Sequence, residues 1–108
     1  SAAGTPSFVD TVVAKLELKA GECVADIGAG QGRFTRAMSR VVGDSGKVYA
    51  VDLDIVRALP ALREIAAKQP NVVPVEGEQN SPRLQPNSVD AVLIVIAYHE
   101  FRKPEEML

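Results

Sequence analysis

The reading turns on Val24 to Gly32, VADIGAGQG. Cys23, Val24, Ala25 and Ile27 have the apolar character of a buried strand and surround one carboxylate, Asp26. Gly28, Gly30 and Gly32 then alternate, and a helical pattern begins near Gln31. The stretch reads as a strand, a tight glycine turn and a helix start. Glycine has no Cβ, so such a turn can take positive φ and let another molecule approach the backbone closely. The helix that follows presents unpaired N–H groups and partial positive charge to whatever lies over the turn. A small polar ligand is expected there.

Spacing narrows the ligand. In the dinucleotide pattern GxGxxG the third glycine, counted from Gly28, falls on Arg33. Here it comes one residue early, at Gly32, and Asp26 stands two residues before the first glycine. At the strand end Asp26 is placed either to hold the glycine loop or to meet an ammonium group. The run DIGAGQG resembles motif I of the class I S-adenosylmethionine-dependent methyltransferases, (Asp/Glu)xGxGxG, at every position. Arg33 argues against an NAD(P)-binding oxidoreductase half-domain, because the close helix packing of GxGxxG is lost there.

Composition sets the outer bounds. The chain has 108 residues, enough for a single domain that buries roughly two thirds of its unfolded surface. Net charge is −2 and the 12 Lys and Arg residues are scattered, with no basic run and no basic helix face, so no nucleic-acid partner is expected. The single cysteine, Cys23, excludes an internal disulfide and a zinc framework, and reads as an inert buried side chain. No metal site is expected. No apolar run approaches the ~18 residues of a membrane span, and the amino terminus lacks a signal layout, so the expectation is a cytoplasmic protein without membrane contact.

The flanking elements follow from periodicity. Thr5 and Pro6 read as cap and first turn of a helix whose Phe8, Val9, Val12, Val13 and Leu16 face the sheet, so that residues 1–20 form an N-terminal helix and linker. From Gln31 to Val42, Phe34, Ala37, Met38 and Val41 fall at helical spacing and read as core. Lys47 to Val51 forms a second strand ending at Asp52. An interior proline costs about 3 kcal/mol, so the next helix is expected to start at Pro60 and run to Lys68, with 54–59 a turn or short coil. Val72 to Glu76 carries Pro74 and belongs on a sheet edge, whereas Val89 to Ala97 is apolar on both faces. Together these predict an α/β, Rossmann-like parallel sheet of order 3-2-1-4.

In that order ligands bind at the carboxyl ends of the strands, near the switch point between strands one and four. Asp52, ending strand two, is either a solvated loop residue or a partner for ribose hydroxyls. GEQNSPRLQPNSVDAVLIVIAYHEF, from Gly77 to Phe101, resembles the methyltransferase stretch with an acidic residue after strand three. The resemblance implies S-adenosylmethionine as cofactor. It implies contacts from Asp26, Gly28, Ala29, Gly30, Gly32, Asp52 and Leu53, with Glu78 or Gln79 at the adenine amino group and Ile96 beside the methyl group. His99, the only histidine, is the candidate general base, although many members of the family need none. Tyr98 is either a pocket wall or ordinary packing. The sulfonium carries its own activation, so positioning is most of the work. The acceptor is expected to be a small molecule.

The resemblance implies that the chain covers the cofactor-binding half of the seven-stranded methyltransferase fold. Strand 89–97 then lies at an open edge, and such an edge recruits another strand. A homo-oligomer through 89–97 is therefore expected, and a self-associating, non-catalytic α/β fragment is the alternative to an active methyltransferase.

Overall fold

Pairing of four parallel strands sets the architecture. The computed structural model describes residues 7–52, 55–77 and 89–94. In chain order they form α1 (Phe8–Lys15), β1 (Cys23–Ile27), α2 (Arg33–Val42), β2 (Lys47–Asp52), α3 (Ile55–Lys68), β3 (Val72–Glu76) and β4 (Ala91–Ile94). The sheet order is β3-β2-β1-β4, as the sequence predicts. Pro74 sits on the outer described strand, opposite Ala50, where no further described strand needs its missing N–H.

Register fixes which side chains meet. Val24, Asp26, Val48, Ala50, Val72 and Leu93 share one face, and Ala25, Tyr49, Val51, Val73, Val92 and Ile94 share the other. The core lies on the first face, where Val24, Val48, Ala50, Val72 and Leu93 pack with Val13, Phe34, Met38, Val42, Ala58, Leu62 and Ile65 of the helices. Full burial of each larger side chain contributes about 1.5–3 kcal/mol. On the second face Val92 and Ile94 remain 48% and 62% exposed.

The first helix starts later than expected. Its N-cap is Ser7, whose Oγ accepts the Asp10 N–H at 3.1 Å, while Thr5 and Pro6 lie outside the described residues. A serine reaching the third helical amide, with an acid in the first turn, is a sufficient start signal. Phe8 is 70% exposed and meets Phe34 only edge-on, with centroids 6.3 Å apart. The helix packs chiefly on α2.

In α2 the buried stripe is Phe34, Thr35, Met38, Ser39 and Val42, and Val41 is exposed. At about 100° per residue Val41 lies about 90° from the centre of that stripe. Two hydroxyl residues fill the place the periodicity assigned to it.

Pro60 does not begin α3 but lies inside it. Ala58, Leu62 and Ile65 recur on one buried face through the proline, which keeps the helix continuous from Ile55. Pro60 itself is exposed, so water can replace the hydrogen bond it forgoes.

The fourth strand begins at Ala91 rather than Val89. Asp90 sets its register by donating its N–H to the Cys23 carbonyl at 2.7 Å and accepting the Cys23 N–H on Oδ2 at 2.8 Å. Cys23 is half-buried, less enclosed than expected, because it opens β1 rather than standing within it. Residues 95–97 of the expected strand lie outside the described residues. None of the described helices is long and apolar enough to cross a membrane.

Candidate functional site at the glycine turn

Parallel strands put all their carboxyl ends on one edge, and the glycine turn leaves β1 there. Gly28, Gly30 and Gly32 have φ of 78°, 56° and 84°, a region that side chains with a Cβ rarely adopt. The turn is stapled to β2: the Gly28 and Ala29 N–H groups both donate to the Val51 carbonyl, at 2.8 and 3.0 Å. The Gly30 N–H donates to Asp52 Oδ2 at 2.7 Å, and the Gly32 N–H returns to the Ala29 carbonyl at 2.9 Å.

Two of the glycines serve different ends. A Cβ on Gly32 would stand 2.4 Å from Ile65 Cδ1 and 3.2 Å from Leu62 Cδ2, so this position lets α2 start hard against α3. Among the described residues a Cβ on Gly30 would meet nothing nearer than the Gly28 carbonyl oxygen at 3.9 Å. The described residues therefore leave the space above Gly30 open to a group lying over the turn.

Asp26 is 2% exposed and accepts the Thr35 hydroxyl at 2.6 Å. Thr35 is the third residue of α2, whose cap, Gly32, offers no side chain and whose first turn holds no acid. The carboxyl group thus supplies a hydrogen-bond acceptor at that helix end. Burial, foremost, raises the Asp26 pKa above its ordinary value; the Thr35 hydroxyl opposes the shift, and the Asp52 charge adds to it. The partner Asp26 has here is a side-chain hydroxyl of α2, a contact different from the two that sequence reasoning left open, the glycine loop and an ammonium group.

The turn therefore brings together Asp26, Gly28, Ala29, Gly30, Gly32 and Asp52 at the ends of β1 and β2. Leu53, Glu78, Gln79, Ile96, Tyr98 and His99 lie outside the described residues. Thr35 and the Val51 carbonyl were not singled out by sequence reasoning. A hydroxyl on the inner side of a helix that follows a strand-end carboxylate is the signal that points to Thr35. Backbone acceptors such as Val51 leave no trace in residue type. Among the described residues no group of three or more His, Cys, Asp or Glu is placed to hold a metal.

Comparison with known proteins agrees with this geometry. A family model described as a methyltransferase domain matches residues 24–108. The chain is 38% identical over 96 residues to an uncharacterized methyltransferase of Mycobacterium tuberculosis (strain ATCC 25618 / H37Rv), covering 89% of this chain and 37% of that protein. It is 39% identical over 69 residues to a probable cobalt-precorrin-6B C(15)-methyltransferase of Saccharolobus solfataricus, covering 61% of this chain and 34% of the other. The fold superposes on a SAM-dependent methyltransferase of Aquifex aeolicus with a TM-score of 0.73 at 30% identity, over 90% of this chain and 52% of that one. The chain thus spans about a third of these curated relatives and about half of the solved structure. Motif, strand order and family match converge, and the chain belongs to the class I S-adenosylmethionine-dependent methyltransferase family.

Proposed function

We propose that the chain is the cofactor-binding part of a methyltransferase and holds S-adenosylmethionine over the glycine turn. The observation that carries this is the pairing at Gly30: its N–H is bound to Asp52 while no described residue fills the space its Cβ would occupy. A turn needed only for packing would resemble Gly32, filled from the other side. Asp52, its direction set by that N–H, would hold the ribose hydroxyls. Gly28, Ala29 and Gly30 would line the path of the methionine end, and Asp26, through Thr35, keeps α2 aimed at it. Leu53, Glu78, Gln79 and Ile96 are assigned the remaining contacts, and His99 the place of a base, on family resemblance. When bound, the cofactor supplies an electrophilic methyl group on a sulfonium.

Calorimetric titration with S-adenosylhomocysteine, with NAD as control, tests this reading. Saturable binding of the first and not of the second is expected; a folded protein that binds neither overturns it.

A second reading, self-association along β4, is supported by the exposure of Val92 and Ile94 and by the pairing of β4 to β1 alone among the described strands. It is compatible with the first. Sedimentation velocity over a wide concentration range is expected to show a dimer, and a monomer throughout rejects it.

A further inference from the structure

The solvent side of α2 is basic. Arg33, Arg36 and Arg40 are exposed, and at about 100° per residue they fall within about 60° of one another. This overturns the expectation that the chain has no basic helix face: the turn that sends Phe34, Met38 and Val42 inward gathers the arginines outward. Arg36 and Arg40, with Glu64, Ile65, Lys68 and Gln69, line a recess of about 470 Å³ between α2 and the end of α3.

The walls of this recess are tied together. The Gln69 side-chain amide donates to the Arg36 carbonyl at 3.2 Å and to Ser39 Oγ, and the Asn71 amide donates to the Ser39 and Gly43 carbonyls, both at 2.9 Å. The cations are therefore carried on a fixed frame. Among the described residues neither the Arg36 nor the Arg40 guanidinium has an ion pair or hydrogen bond. The one acid in the lining, Glu64, is 3.9 Å from Lys68, with both side chains about three-quarters exposed, and neutralises little.

We propose that the α2–α3 recess binds the phosphodiester backbone of a nucleic acid without reading its bases. Three features select this ligand. The arginine row extends about 10 Å along the helix, from Arg33, outside the recess, to Arg36 and Arg40 in its wall, farther than one small anion reaches. Guanidinium forks match phosphate oxygens two at a time. Among the described residues no aromatic side chain lines the recess and Ile65 is its single apolar residue, so they serve neither base stacking nor an apolar partner. Arg36, where the recess begins, lies one turn into α2, and neither Arg36 nor Arg40 belongs to the glycine turn, so this binding is tested separately from the cofactor reading.

Fluorescence anisotropy with a labelled oligothymidylate tests it. For three phosphate contacts on a single strand, affinity is expected to fall about fifteen- to twentyfold between about 50 and 200 mM salt. Arg36→Glu with Arg40→Glu is expected to abolish binding, and the neutral pair Arg36→Gln with Arg40→Gln to weaken it and flatten the salt slope. The charge-matched pair Lys15→Glu with Lys19→Glu, on exposed positions of α1 and the loop after it, is expected to leave binding nearly intact. All variants are to keep the wild-type thermal melt and affinity for S-adenosylhomocysteine. The proposal fails if the wild type does not bind at low salt, or if the α1 pair removes binding as fully as the α2 pair. It also fails if poly-glutamate competes as well as unlabelled oligonucleotide, which would assign the recess to an acidic protein.

Discussion

Thr35 donates its hydroxyl to Asp26 at 2.6 Å, and both side chains are almost wholly out of solvent, so one hydrogen bond joins β1 to the first turn of α2 beneath the glycine loop. Thr35→Val keeps the volume and removes the donor. A buried acceptor left unpaired costs about 1–3 kcal/mol, and urea unfolding is expected to show a loss of that size. Thr35→Ser is expected to recover most of it; equal losses in the two variants would mean that packing, not the hydroxyl, matters at this position.

The Asp26 pKa, raised chiefly by burial, gives a pH dependence with a definite sign. The folded protein keeps this proton to higher pH than the unfolded chain, where the ordinary value is 3.8. The stability contributed by the group is complete below the unfolded value and is lost as pH rises through the folded one. The unfolding free energy of wild type minus that of Asp26→Asn is therefore expected to decrease from about pH 4 upward. An increase with pH would show instead that the fold favours the charged carboxylate.

Gly32→Ala and Gly30→Ala separate architecture from binding. At Gly32 a left-handed φ and contact with Ile65 act together, for an expected loss of about 3 kcal/mol. At Gly30 only the backbone term applies, about 1–2 kcal/mol, yet affinity for S-adenosylhomocysteine is expected to fall at least about tenfold because the new methyl stands where the ligand approaches. Paired melts and titrations check this, and a Gly30→Ala protein with native affinity would place the ligand elsewhere.

Asp52 accepts the Gly30 N–H and is proposed to hold the ribose, two roles that substitution can divide. Asp52→Ala removes the acceptor of the Gly30 N–H, with an expected stability loss of about 1 kcal/mol, and is expected to weaken adenosine-containing ligands. Asp52→Asn retains an acceptor for Gly30 while changing what faces the ribose. Unchanged ligand affinity in both variants would reject the ribose role.

Pro60→Ala restores a backbone donor at an exposed position inside α3. A gain of about 2 kcal/mol is expected after allowing for the greater freedom of the unfolded chain, which for a domain of this size raises Tm by roughly ten degrees. A fall in Tm would argue that the helix does not run unbroken through residue 60.

What was legible in the sequence was whatever backbone chemistry writes into residue type. Alternating glycines after an apolar strand announced the turn, and Pro74 against the two-sided apolar run at 89–97 ordered the strands. The errors share a cause: the reading applied a local rule where packing decides. Pro60 is costly in an isolated helix, but a buried face formed by Ala58, Leu62 and Ile65 outweighs it. Val41 matched the helical period, yet Thr35 and Ser39 occupy the interior because Asp26 and the helix carbonyls satisfy their hydroxyls. Arg33, Arg36 and Arg40 looked scattered in the linear chain and share a face only once the helix is wound.

The Val51 carbonyl receives two N–H groups of the glycine turn, and Asp52 receives a third. Glycine-rich loops are ordinarily where hydrogen exchange is fastest. At residues 28–30 exchange instead has to wait until the turn detaches from β2, so their amides acquire the slow clock of the sheet. A ligand arriving there, as proposed, would meet a turn already ordered by folding.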